Sequence, residues 1–187
     1  MINLMNEIIR LSGGNQAEVQ EIMSSLKPLT LKKGQFLLKA DQICDKYYFV
    51  ESGAVRLYYH KGDNDYTVWI GTQGQIFTDL ESYLDQTKSR INIEAIEPTK
   101  VFVIDKLDSD KLAKESNIYN TLLRRTIEIA FVSLSKNIIS FQSDEALERY
   151  QRVEKEKSWL IHFPLKYISS FIGVTQSSLS RLRANKD

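Results

Sequence analysis

Near the end of the chain stand Thr175, Gln176, Ser177, Ser178, Ser180, Arg181 and Arg183, side chains of the kinds that read base edges or hold phosphates. This is the chemistry of recognition rather than of bond breaking. Arginine offers the paired donors that guanine accepts, and glutamine the donor and acceptor that match adenine. Arg181 lies five residues after Gln176, so both can project from the groove-facing side of one helix, with Ser177 beside Gln176. Arg183 and Lys186, toward the helix end, suit phosphates. From Lys166 to Lys186 the basic residues are Lys166, Arg181, Arg183 and Lys186, and no acidic residue falls among them. A structural helix pair usually mixes signs on its wet face, so this one-sided charge points to a polyanion.

Two short helices must position these groups. Ile168, Ile172, Val174, Leu179 and Leu182 supply the apolar positions, and Ser169 sits where the helices must approach. Gly173 falls at the turn, where a left-handed backbone suits glycine best. Together these constraints describe a helix-turn-helix with its second helix in a DNA major groove. A plain amphipathic hairpin shares the periodicity, and the local charge is what favours the DNA reading.

Other chemistries find little support. The two histidines, His60 and His162, fall beside a hairpin turn and in the linker before Pro164, so no clustered metal ligands are expected. The one cysteine, Cys44, excludes a disulfide within the chain and a cysteine-ligated iron–sulfur cluster. It reads as a buried or rim thiol rather than a nucleophile. No phosphate-cradling loop, dinucleotide fingerprint or Gly-x-Ser-x-Gly elbow is present, so no enzyme activity is expected. The 187 residues carry a net charge of +1 and are 42% hydrophobic, enough for a packed core and against disorder. Without a signal-peptide pattern or an apolar run of spanning length, the chain is expected to be cytoplasmic and free of membrane.

Residues 15–27 predict a helix with Asn15 as N-cap and Val19, Ile22, Met23 and Leu26 on one face, broken at Lys27-Pro28. From Leu29 to Ile104 the pattern turns to strands, clearest at Tyr47–Val50, Ala54–Tyr59, Tyr66–Ile70 and Lys100–Ile104, punctuated by glycine turns. Short strands of this kind predict a small antiparallel barrel or roll. Residues 117–141 lack proline and glycine and carry Leu123, Ile127, Ala130, Leu134, Asn137 and Phe141 at spacings of 4, 3, 4, 3 and 4, a heptad seam. A second line, Ile118, Leu122, Ile129 and Val132, could pack on the barrel, leaving the seam for a second subunit. Residues 144–157 are charged and helix-prone.

A roll, a long helix and a C-terminal helix-turn-helix in that order resemble the CRP/FNR family of bacterial transcription regulators. The most specific pieces are the run from Asp45 to Leu57, which looks like the family's strand–glycine–strand signature, and the run from Ile168 to Arg183. The resemblance implies an α+β fold. An N-terminal antiparallel roll of the jelly-roll, cyclic-nucleotide-binding kind with a dimerising helix (residues 1–142, helix about 117–141) would precede a small all-α helix-turn-helix domain (residues 143–187). It also implies a homodimer on palindromic double-stranded DNA near promoters, with RNA polymerase a further partner, and base reading by Gln176, Ser177 and Arg181. An alternative is a small-molecule sensor or protein-interaction module whose helix-turn-helix does not bind DNA.

Two departures matter. Cyclic-nucleotide members carry Gly-Glu-Leu and, about ten residues on, arginine followed by Ser or Thr. Here Thr78, Asp79 and Leu80 stand in the first place, Ser89 and Arg90 in inverted order in the second, and Arg90 would point to the other face of a strand. Asp41 replaces a glycine common near that position. The expectation is an effector pocket too altered for cyclic AMP, with no cofactor. Only Ala184 to Asp187 follow Arg183, too few for the family's full β-hairpin wing, so either this subgroup lacks the wing or the chain is truncated.

Overall fold

The computed structural model describes residues 2–156 and 158–184. It opens with α1 (Ile2–Ser12) and α2 (Gln16–Ser24). The second is the helix foreseen from Asn15, whose side chain accepts from the amides of Ala17 and Glu18 while Glu18 reaches back to the Asn15 amide. That reciprocal capping box satisfies donors the first turn would otherwise leave bare. That helix ends at Ser24, short of the expected 27, and Lys27 and Pro28 already lie in β1 (Lys27–Leu31), an edge strand, where a missing N–H costs no ladder bond.

The remaining strands are β2 (Phe36–Leu38), β3 (Lys46–Ser52), β4 (Ala54–Lys61), β5 (Asn64–Thr72), β6 (Ile76–Phe77), β7 (Asn92–Ala95) and β8 (Thr99–Asp105), with α3 (Leu80–Asp85) between β6 and β7. They form two antiparallel sheets, ordered β1-β8-β3-β6 and β2-β7-β4-β5, the roll that the sequence predicts. Gly53 joins β3 to β4 at φ +84°, and a Cβ there would lie 2.4 Å from the Pro98 carbonyl oxygen. No other residue fits that turn without moving backbone.

Three apolar clusters hold the chain together. Between the sheets lie Leu31, Tyr48, Val50, Val55, Leu57, Phe77, Ile93, Val101 and Val103. The outer face of the first sheet presents Tyr47, Phe49 and Ile104 to α1, α2, α4 (Lys106–Glu115) and the start of α5 (Asn117–Ser143), where Tyr119 and Leu122 are buried. The alternation explains why β3 and β8 read as unbroken apolar runs: each is covered on both sides. The third cluster binds the C-terminal helices, α6 (Ala146–Glu156), α7 (Leu165–Ile172) and α8 (Gln176–Ala184), to Ala54 and Ile70 on the second sheet and to Ile96 just after β7.

The helix α5 spans roughly 40 Å at 1.5 Å per residue. Ile118 and Leu122 pack on the roll as expected, but Ile129 and Val132 do not. Beyond Thr126 the helix is largely exposed until, near its end, Ser140 is buried and Phe141 meets Gly173 and Arg149. Ile127, Ile129, Phe131, Val132, Leu134, Ile138, Ile139 and Phe141 stand between 41% and 68% exposed. Among the described residues no helix is long and apolar enough to cross a membrane, and no group of three or more His, Cys, Asp or Glu is placed to hold a metal ion.

Candidate nucleic-acid interface

The turn between α7 and α8 forms as its glycine requires. Gly173 adopts φ +73°, and the Val174 amide returns to the Ser169 carbonyl at 2.9 Å, closing the end of α7. Ser169 is buried at the helix crossing, where a larger side chain would push the helices apart. Thr175 starts α8 as a cap, its hydroxyl accepting from the Ser178 amide at 3.1 Å. The same oxygen contacts the hydroxyls of Ser177 and Ser178.

Helical periodicity then sorts the remaining side chains. At about 100° per residue, Gln176, Ser180, Ala184, Ser177 and Arg181 fall within an arc of about 140°, and all five are exposed. Leu179 is buried on the opposite side, with Ser178, Leu182 and Arg183 half-buried beside it. The candidate residues therefore divide. Gln176, Ser177, Ser180 and Arg181 share one wet face. Ser178 turns away from it, and Arg183 donates from Nε to the Tyr150 hydroxyl of α6 at 2.8 Å with its guanidinium against that ring. Burial pushes the Tyr150 hydroxyl up from its ordinary pKa, keeping it neutral and able to accept. Lys166 is exposed on α7 above the Tyr167 ring, and Lys186 lies outside the described residues.

The helix pair is mounted at two places that residue pattern alone does not announce. On the roll side, the Ser170 hydroxyl donates to the Asp65 carbonyl at 2.8 Å and accepts from the Thr67 amide at 2.7 Å. Beside it Arg56, 3% exposed, lies against the rings of Tyr58 and Tyr167 and donates to Thr67 and Asp65. On the α5 side, Asp144 accepts from the hydroxyls of Ser140 and Ser143 and pairs with Arg152. The Ser140 bond is the first cause that holds its carboxyl below the usual range.

The effector residues are brought near one another but are engaged by the protein. The Thr78 hydroxyl donates to the Lys46 carbonyl at 2.8 Å and touches the Cys44 sulfur. Asp79 begins α3 without a side-chain cap bond, and Leu80 follows half-buried. Ser89 is buried and bonded both ways with the Ile91 backbone. That bend corrects the expected position of Arg90, which precedes β7 instead of lying within a strand and forms an exposed ion pair with Glu81 at 2.6 Å. Asp41 holds φ +68°, the left-handed conformation of the absent glycine, which aspartate tolerates better than most residues. Inside the roll Tyr48 stacks on Phe77, and Trp69 meets Phe77 edge-on. Two surface recesses lie elsewhere: one of about 440 Å³ between α1 and the turn after β5, the other of about 620 Å³ between α1 and α5.

Residues 28–116 match the family model of the cyclic nucleotide-binding domain. No curated protein sequence matches the chain. Among solved structures, a CooA variant from Carboxydothermus hydrogenoformans is 17% identical with a TM-score of 0.73, over 88% of this chain and 78% of that one. A putative transcriptional regulator of the crp/fnr family from Eubacterium rectale is 16% identical with a TM-score of 0.69, over 95% and 85%. The Thermus thermophilus catabolite activator protein is 18% identical with a TM-score of 0.60, over 96% and 85%. At these identities the likeness is one of fold.

Proposed function

We propose that this chain, whose residues 28–116 match the cyclic nucleotide-binding domain and whose fold is that of the CRP/FNR regulators, is a homodimeric, sequence-specific DNA-binding transcription regulator. One observation carries the reading: the wet face of α8 gathers Gln176, Ser177, Ser180 and Arg181 with no acidic side chain. Such a face would sit in the major groove with Arg181 on guanine and Gln176 on adenine, while Lys166 and Lys186 neutralise phosphates. Arg183 steadies α8 through the bond from its Nε to Tyr150, and its Nη donors would remain for a phosphate. Pairing of two chains along α5 would cover Ile127, Leu134 and Phe141 of the expected seam together with the exposed Phe131 and Ile138, whereas Leu123 packs on the core, and would present two α8 helices to a palindrome. Residues 1–142 would be the effector and dimerisation unit, and residues 143–187 the DNA-binding unit. For its effector site we propose no working cyclic-AMP pocket. Thr78 and Ser89 spend their hydroxyls on backbone carbonyls, Arg90 faces Glu81, and aromatic rings fill the roll.

The test is selection of bound fragments from random duplex DNA, followed by titration on the selected and scrambled sequences. Arg181→Ala is expected to weaken the selected site by about 1–3 kcal/mol and to relax preference at one base pair per half-site. An equal loss on scrambled DNA would reduce Arg181 to a backbone contact. Failure to enrich any sequence would refute the proposal.

A further inference from the structure

We infer that Arg149 is the positioning residue that fixes the half-site spacing this dimer reads; the inference rests on the DNA-binding reading above. Arg149 stands in α6, just past the two-residue connection that joins α5 to α6. Its single planar guanidinium meets three elements at once. Nε donates to the carbonyl of Ile172, the last residue of α7, at 2.9 Å. Nη1 donates to the carbonyl of Asp144, in the connection itself, at 2.7 Å. The plane also lies 5.4 Å from the centroid of the Phe141 ring, near the end of α5. That ring abuts Gly173, where a Cβ would come within 2.8 Å of it.

The consequence is mechanical. Gly173 and Ile172 lead within four residues into α8, so whatever fixes them relative to Phe141 fixes the recognition face relative to the α5 axis. Arginine suits this task because its donors diverge in one rigid plane and reach two carbonyls without changing rotamer. A lysine ammonium reaches one carbonyl and leaves the other free. Asp144, bonded to Ser140, Ser143 and Arg152, stiffens the same joint, and Ser170 ties α7 to Asp65 and Thr67 of the roll. In a dimer built along α5, the angle between that helix and α8 sets where each copy enters its groove. Each inserted base pair turns the far half-site by about 35°, so a stiff joint accepts one spacing and a slack joint several.

The experiment uses the full chain and a series of duplexes carrying the selected half-sites, with the spacer varied by up to two base pairs either way. The chain with Arg149 is expected to lose about tenfold in affinity for each base pair off the optimum. Arg149→Gln and Arg149→Lys are expected to remain dimeric, with wild-type circular dichroism, and to lose less than about threefold per base pair. Should Arg149→Gln fail to fold, Arg149→Lys, which keeps the charge and the stem, carries the comparison. A variant that keeps the original steepness, or one that loses affinity equally at every spacing, would overturn the inference. So would a wild-type protein that binds its operator without a spacing optimum. A wild-type protein that enriches no DNA would instead refute the reading beneath it.

Discussion

Replacing Leu134 with glutamate tests the pairing of two chains along α5. Leu134 is 54% exposed in the single chain, and its neighbours along the stripe, Ile127, Phe131, Ile138 and Phe141, are exposed to a similar degree. Covering that half of a leucine removes roughly 90 Å² from water, about 2 kcal/mol per copy, and a symmetric dimer contains two copies. Glutamate forfeits this gain and sets two carboxylates opposite each other in a partly dry seam, adding a few kcal/mol more. A combined loss of about 6 kcal/mol or more weakens the dimer about 10⁴-fold. Sedimentation velocity at micromolar protein should therefore show monomer for Leu134→Glu and for Ile127→Glu. Leu107→Glu, at an 84% exposed position on α4, should leave the dimer intact. A dimer that survives both seam substitutions would show that α5 does not make the contact and that its apolar stripe serves another surface.

Calorimetry with cyclic AMP should detect no binding at micromolar ligand; heat that vanishes with Arg90→Ala would restore a nucleotide site. Gly173→Ala should destabilise the chain by about 2 kcal/mol or more, because it adds left-handed strain to a clash with the Phe141 ring, and urea unfolding would measure it. Asp105 is held below its ordinary pKa first by its hydrogen bond to Lys27 and then by Lys46. That ion pairing contributes stability above the usual carboxylate range and loses it as pH falls through the lowered value. Lys27→Gln should therefore move the acid-unfolding midpoint to higher pH, as followed by circular dichroism.

What the sequence discloses is local. The helix-turn-helix is legible because its turn glycine, small crossing residue and apolar positions all fall within twenty residues. The strands β3 and β8 are legible because both faces are buried, which makes them dense in Val, Ile, Phe and Tyr. By contrast β2 and β6 are too short for a period to show. The division of α8 into a wet and a covered face follows from periodicity, but the bond from Arg183 to Tyr150 depends on a partner 33 residues away. Ser170 and Asp65 meet across 105 residues, a distance at which residue types carry no register. Arg56 is the exception that could have been noticed: one arginine in the otherwise apolar run Ala54-Val55-Arg56-Leu57 signals a buried polar contact.

That arginine raises the question of whether charge or packing holds the C-terminal helices on the roll. Its guanidinium lies 4.2 Å from the Tyr58 ring centroid and 4.5 Å from that of Tyr167, so its stem and plane fill space between β4 and α7. Its ionic partner Asp65, 3.1 Å away, is 41% exposed and also pairs with His60, so water and His60 remain to it if the arginine is lost. A half-solvated carboxylate loses little when its partner leaves, whereas an empty slot between two rings loses contacts outright. Packing should therefore dominate. Arg56→Ala is expected to cost about 3 kcal/mol in urea unfolding, and Arg56→Met, which refills most of the volume without charge, less than about 1 kcal/mol. For a chain of this length the first corresponds to a fall of roughly 6–12 °C in Tm and the second to a few degrees at most. If methionine proves as costly as alanine, the ion pair and the hydrogen bond to Thr67 hold the joint, and the argument from volume fails.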